Sequence, residues 1–146
     1  MYKKRIYTIG SSTRGSDEFI ELLEYYGIQT LVDVRRFPTS KLEHFKRENL
    51  AHILSEAGIG YVYLGEELGG YRSGGYEAHT LSQQFREGIK SLEGVATRAK
   101  TVVMCSERLP WKCHRRFIGR ELQRREWEVI HIIDEKRQWI SRGESP

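Results

Sequence analysis

A chain of 146 residues with 38% hydrophobic and 11% aromatic content can bury one sizeable core and is too short for two, so a single domain over 1–146 is expected and a disordered polymer is excluded. No apolar run reaches membrane-spanning length, and Met1-Tyr2-Lys3-Lys4-Arg5 leads into a short strand rather than a signal-peptide core, so no membrane partner and a cytoplasmic address are expected. The net charge of +4 is modest, and two cysteines are too few for a disulfide scaffold, which makes reduced thiols the first expectation.

Taken in order, strand and helix signals alternate. A strand is predicted over 5–9 and ends at Gly10-Ser11-Ser12-Thr13, a turn rich in backbone and hydroxyl donors. Phe19, Leu22, Leu23 and Tyr26 stand at helical spacing, which predicts a helix over 17–26 with Ser16 as its N-cap and Gly27 just past its end. Residues 30–34 are almost continuously apolar, as a parallel strand buried on both faces would be. The loop Arg35-Arg36-Phe37-Pro38-Thr39-Ser40 follows, then a helix over 47–57 with Leu50, Ile53 and Leu54 on one side.

Gly58-Ile59-Gly60-Tyr61-Val62-Tyr63-Leu64 repeats the rhythm of Gly27 to Val32, with a glycine stopping a helix before a β-rich run. Residues 65–79 break that rhythm: five glycines interleave with Tyr71, Arg72, Tyr76 and His79, and either a cover over the strand ends or a solvated excursion fits. A helix over 81–92 carries Leu81, Phe85, Ile89 and Leu92 on one stripe, and a last strand is predicted over 129–133. The tail beyond Asp134 reads as peripheral, with Trp139 and Ile140 as residues able to pack back. About five strands and four helices in alternation give a small three-layer α/β sandwich around a mostly parallel sheet, whose strand order is not legible.

One stretch organises the chain. Thr101 to Cys105 is a strand, Ser106 to Lys112 a polar turn containing Pro110, and a helical pattern restarts at Cys113 and runs through Ile118 and Leu122. Both cysteines, a histidine, an acid and several arginines therefore gather where a strand ends and a helix begins, the usual ligand position of open α/β sheets. Between Glu107 and Glu126 seven basic residues face three acids, an excess equal to the whole-chain charge. An anionic partner follows: a phosphate, a nucleotide or a nucleic-acid backbone.

Three sets of residues carry a resemblance. Tyr7-Thr8-Ile9-Gly10-Ser11-Ser12, Leu31-Val32-Asp33-Val34-Arg35-Arg36-Phe37-Pro38, and Met104-Cys105-Ser106-Glu107 through Pro110 to Cys113-His114-Arg115 resemble the motifs of the domain of unknown function 488 family. The likeness extends over nearly the whole chain, including Leu68-Gly69-Gly70 and Val129 to Ile132. The family's activity is not established, so the resemblance points to the motif residues rather than to a reaction. Members commonly carry a histidine where this chain has Ser11, which removes any imidazole role after the first strand.

Helical rotation from Cys113 places Arg116, Arg120 and Arg124 on an outer stripe and Arg115, Ile118, Gly119 and Leu122 on an inner one. The outer stripe reads as an ordinary charged face before it reads as a nucleic-acid contact. An inward Arg115 needs a carboxylate or a bound anion. Asp33, which interrupts an apolar strand, is the natural carboxylate, and Arg35 or Arg115 is its expected partner, in a purely structural pair or a ligand-orienting one. Glu107 has three equal readings: ligand contact, general base or helix cap.

The cysteines allow three chemistries. Cys105 could be a nucleophile or redox thiol; Cys105 and Cys113, with seven residues between them, could form a reversible disulfide; or both with His114 could supply three zinc ligands. The zinc spacing matches no ribbon or finger and lacks a fourth ligand, so neither a metal nor another cofactor is expected. A buried apolar role competes with each. A cysteine phosphatase loop is disfavoured because Trp111, not arginine, stands six residues after Cys105.

Two function classes remain. The first is an enzyme acting on a phosphorylated or nucleotide-like small molecule, with Cys105, Glu107 and Asp33 as candidate catalytic residues and Ser11, Ser12, Arg35, Arg36, Cys113, His114 and Arg115 as candidate ligand-binding residues. The second is a non-catalytic nucleic-acid or anion-binding module that uses the outer arginines and the tyrosines of the glycine-rich loop.

Overall fold

The computed structural model describes residues 4–140. Met1-Tyr2-Lys3 and the tail after Ile140 lie outside the described residues. The fold is α/β: a six-stranded sheet in the order β3-β2-β4-β1-β5-β6, parallel except at its last edge. Its strands are β1 (Lys4–Gly10), β2 (Thr30–Asp33), β3 (Gly60–Tyr63), β4 (Thr101–Cys105), β5 (Trp127–Ile132) and β6 (Gln138–Ile140). Six α-helical segments connect them: α1 (Ser16–Tyr25), α2 (Arg47–Glu56), the single turns α3 (Gly65–Leu68) and α4 (Tyr76–His79), α5 (Gln83–Arg98) and α6 (Arg115–Arg124).

The alternation of side chains along each strand divides the core into two clusters. Phe19, Leu22 and Leu23 of α1 and Leu50 and Leu54 of α2 pack with Val102 and Met104 of β4 on one face. Phe85, Ile89 and Leu92 of α5 and Ile118 and Leu122 of α6 pack with Val103 and Cys105 on the other. Helices thus cover both faces, and β4, flanked by β2 and β1, has the fully buried pattern of a central parallel strand. The register aligns Gly10 and Met104 with their neighbours so that β1, β2 and β4 end nearly level: Gly10 pairs with Cys105 and Asp33 with Met104. The chain leaves β1 toward β2 on one face and leaves β4 toward β5 on the other. Opposite departures from adjacent strands open a crevice at their C-terminal ends.

Several expectations need correction. Ser16 is the first residue of α1 rather than its cap; Gly15 takes the cap position, and its N–H donates to the Glu18 carboxylate at 3.3 Å. Leu81 belongs to no helical stripe, since the Ser82 hydroxyl accepts the Phe85 N–H and α5 starts two residues later, at Gln83, leaving Leu81 exposed. In the tail after Asp134, Trp139 and Ile140 do pack back, Trp139 stacking on His131, but they do so within a strand that the sequence pattern does not predict, β6, paired antiparallel with β5. The 65–79 segment contains two helical turns, and Arg72 donates to the carbonyls of Glu66 and Gly69 within it.

Gly10 is where backbone meets backbone most closely. A Cβ there would collide with the carbonyl of Glu107, so the turn after β4 can lie against the end of β1 only when β1 ends in glycine. Gly94 in α5 is the contrasting case, with only the end of the Arg98 side chain 4.0 Å from a Cβ. Urea denaturation should therefore show Gly10→Ala destabilised by about 1–3 kcal/mol and Gly94→Ala stabilised by about 0.5–1 kcal/mol. Equal effects at the two positions would refute the close approach.

Candidate functional site

Above the ends of β1, β2 and β4 lies a cleft of about 820 Å³. The turn after β1 supplies Ser12 and Thr13, the loop after β2 supplies Arg35, Arg36 and Phe37, and the loop after β4 supplies Cys105 through Arg108, Lys112, Cys113 and His114. Gly70, Tyr71 and Tyr76 of the glycine-rich segment complete the wall. Seven predicted site residues meet here: Ser12, Arg35, Arg36, Cys105, Glu107, Cys113 and His114. Asp33, Ser11 and Arg115 stand behind the wall rather than in it.

Asp33 is wholly buried and saturated with donors. Arg35 donates to it from its backbone N–H, Nε and Nη2 at 3.1, 2.9 and 2.8 Å, and the Tyr61 hydroxyl donates at 2.7 Å. Arg35 spends its remaining Nη1 on the Phe45 carbonyl. Burial, with Asp33 beside it, pushes the Tyr61 phenol above its ordinary value, so Tyr61 stays a hydrogen-bond donor. The Asp33 partner is Arg35, not Arg115, and the pair fixes the backbone from which Arg36 and Phe37 emerge.

Arg115 points inward as its helical position requires and is 0% exposed, yet it meets no carboxylate. Nη1 donates to the Thr8 hydroxyl at 2.9 Å, and Nη2 donates to the carbonyls of Glu107 and Arg108 at 2.7 and 3.2 Å. Burial pulls its guanidinium down to about 9. The Thr8 hydroxyl in turn hydrogen-bonds His131 Nδ1 at 2.6 Å, a chain from α6 through β1 to β5. Arginine spacing alone indicated a charged partner; three neutral acceptors leave no sequence signature.

The Gly10 to Thr13 turn departs from the cradle expected of it. The Ser11 and Ser12 amides donate to the carbonyls of Cys105 and Ser106 at 2.8 Å, prolonging the β1–β4 pairing instead of facing a ligand. Ser12 retains its side chain at the cleft.

What the cleft offers a ligand is positive charge. Arg36 and Lys112 make no hydrogen bond or ion pair with a carboxylate among the described residues, and Arg108 lies 4.0 Å from Asp134. Glu107 is the one acid in the wall. The outer stripe of α6 differs: Arg124 pairs with Glu121 and Arg116 donates to the Trp111 carbonyl, while Arg125, just past the helix, pairs with Glu121 and Glu93. Phe37 and Tyr71 form an exposed aromatic pair at the rim, ring centroids 5.7 Å apart.

The cysteines meet at the base of this wall, paired as a disulfide with Cα atoms 7.6 Å apart. Cys105 is buried at the end of β4, whereas Cys113 is partly exposed just before α6. His114 donates from Nε2 to the Val34 carbonyl at 3.1 Å and turns Nδ1 toward the Cys113 sulfur at 3.5 Å. Tyr76 packs on the imidazole, centroids 5.2 Å apart, so the glycine-rich segment covers the histidine. Among the described residues no group of three or more His, Cys, Asp or Glu side chains is arranged to hold a metal ion, so the three-ligand zinc grouping is not assembled.

The family model for the domain of unknown function DUF488 matches residues 16–122. The chain belongs to the DUF488 family. No curated protein and no solved structure matches it. The matched span takes in the cleft loops after β2 and β4 and the glycine-rich wall, and stops within α6. None of the described helices of this DUF488 protein is long and apolar enough to cross a membrane.

Burial makes two histidines sensors of folding. His114 is pulled down to about 4, by desolvation first and by Arg115 against the Val34 hydrogen bond; His131 is pulled down to about 3 by desolvation and then Arg115. In the unfolded chain both titrate near 6.5, so between about 6.5 and 4 the unfolded state binds more protons. Stability should be retained above that window and fall as pH drops through it. Urea midpoints at pH 7 and 4.5 should differ less for His131→Asn, whose amide carbonyl can take the place of Nδ1, than for the parent chain. An unchanged difference would mean that His131 is not buried neutral.

Proposed function

We propose that this DUF488 protein is an enzyme that acts on a phosphorylated or nucleotide-like small molecule in the cleft at the strand ends. The observation that carries the reading is the pairing of unneutralised cations with a reactive residue type: Arg36 and Lys112 stand without carboxylate partners around a wall that contains both cysteines. Cationic side chains kept without internal partners favour an anion that supplies several acceptor oxygens. Arg36, Lys112 and Arg108 take the anion, Ser12 adds a hydroxyl, Glu107 faces the ligand as the acid of the wall, and the cysteines supply the thiol chemistry. Asp33 and Arg115 from behind the wall, and Arg35 within it, act as positioning residues. Ser11 contributes backbone pairing alone. A reducing cytoplasmic setting suits such thiols.

The second class, a nucleic-acid module on the outer stripe Arg116, Arg120 and Arg124, is less well supported because Arg124 is already paired with Glu121. The two readings separate in one titration. Calorimetry with ADP and with pyrophosphate should show binding that weakens about tenfold in Arg36→Ala or Lys112→Ala, the loss expected of one charge-assisted contact, and stays unchanged in Arg124→Ala. Bound ADP should also slow alkylation of the reduced cysteines. If neither anion binds, while a single-stranded RNA binds with steep salt dependence and needs Arg116 and Arg124, the enzyme reading is wrong.

A further inference from the structure

The two sulfurs have unequal surroundings. Cys113 Sγ lies 3.4 Å from the backbone N–H of Arg115, the first residue of the ten-residue helix α6, and 3.5 Å from His114 Nδ1. Because His114 Nε2 donates to the Val34 carbonyl, Nδ1 of the neutral ring carries a lone pair toward the sulfur. An N–H at a helix N-terminus stabilises a thiolate, whereas the neutral Nδ1 can accept a hydrogen bond from the Cys113 thiol and orient it. Cys105 Sγ lies 3.8 Å from the carbonyl oxygen of Glu107, an acceptor that can satisfy only a protonated thiol. It is 1% exposed, in an apolar cluster with Val34 and Val103. Of the two sulfurs, Cys113 alone faces a backbone donor that stabilises charge, and Cys105 faces an acceptor only. Cys113 also borders a second, smaller cavity with Tyr76, Trp111 and Phe117.

We propose that Cys113 is the attacking thiol and Cys105 the resolving thiol of an exchange that reduces disulfides of anionic low-molecular-weight thiols. The inference rests on the reading of the cleft as an anion-binding site and names the substrate class for it. The Cys113 thiolate attacks one sulfur of RSSR, forming a Cys113–S–S–R bond as the first RS⁻ leaves and takes up the proton that Cys113 released. Cys105 then attacks the Cys113 sulfur and gives its proton to the second leaving thiolate. One dithiol and one RSSR become one protein disulfide and two RSH, the substrate gaining two electrons that the protein loses. Arg36 and Lys112 hold the anionic part of R while its disulfide reaches down to Cys113. Cys105 and Cys113 pair with each other, which makes Cys105 the thiol that resolves the mixed disulfide.

A single turnover of the pre-reduced full chain needs no added reductant and tests each part. The probes are coenzyme A disulfide, with phosphates, glutathione disulfide, with carboxylates, and the neutral hydroxyethyl disulfide. The parent chain should release two RSH and end as a Cys105–Cys113 disulfide by peptide mass. Cys105→Ser should release one and retain R on Cys113, and Cys113→Ser should remain unmodified at pH 7, where an ordinary thiol of pKa about 8.5 is still protonated. Both anionic disulfides should react about tenfold faster than the neutral one, with the advantage lost in Arg36→Ala; the faster of the two identifies phosphate or carboxylate as the better fit. Retention of R on Cys105 in Cys113→Ser, or equal rates for neutral and anionic disulfides, would overturn the proposal. ADP binding that persists without any exchange would reject this inference alone, whereas loss of ADP binding as well would reject the cleft reading beneath it.

Discussion

A guanidinium with no carboxylate lies at the centre of this fold, and the loop that forms the site bends to meet it. Removing Arg115 from water costs several kcal/mol by the usual scale of buried ions, offset here by the Thr8 hydroxyl and the carbonyls of Glu107 and Arg108. Those carbonyls belong to the turn after β4, so the turn must fold back over α6 rather than run out into solvent. Arg14 does the equivalent on the neighbouring side, donating to the carbonyls of Gly10 and Ile133. Two buried arginines thereby fix the ends of β1, β4 and β5. The site is held by cations that bind protein, and it offers a ligand the cations that do not.

The division is sharpest at Arg35 and Arg36. Consecutive residues leaving a strand point to opposite sides, so Arg35 turns in to Asp33 and Phe45 while Arg36 turns out to the cleft. Tyr61, from the neighbouring strand, completes the Asp33 shell. An inner pair that is fully satisfied has little reason to move, and it sets where the outer guanidinium starts. Gly69 lets the glycine-rich segment close against that same point, since a Cβ there would press on the Arg36 backbone.

Much of this was legible in the sequence because period and punctuation are local. Leu31 to Asp33 and Val102 to Cys105 read as buried strands, Gly27 and Gly58 sit past helix ends with φ near +72° and +76°, and the inward turn of Arg115 followed from helical rotation. What was missed is non-local or too short to show a period. β6 has three residues, two of them exposed, and exists because the open edge of β5 accepts it. The partners of Arg115, the Thr8 to His131 hydrogen bond and the Tyr61 contact to Asp33 join residues far apart in the chain through neutral groups. The donor-rich turn at Ser11 and Ser12 misled for a related reason: amides that look available from sequence are consumed by the carbonyls of Cys105 and Ser106, which only the register reveals.

The asymmetry between the cysteines comes from the same architecture. Cys105 ends a strand, so the sheet neighbours and α5 and α6 bury it and leave its sulfur facing the carbonyl of its own turn. Cys113 precedes a helix, so its sulfur faces an N–H that no helical carbonyl uses. Strand ends present acceptors and helix starts present donors; a thiol is retained by the first and a thiolate favoured by the second. A strand-loop-helix corner with one cysteine at each end therefore separates a proton-holding sulfur from a charge-holding one without any acidic or basic side chain being spent on the distinction. The separation requires the two ends to meet, and Arg115, by drawing the turn between them back over the helix, makes them meet.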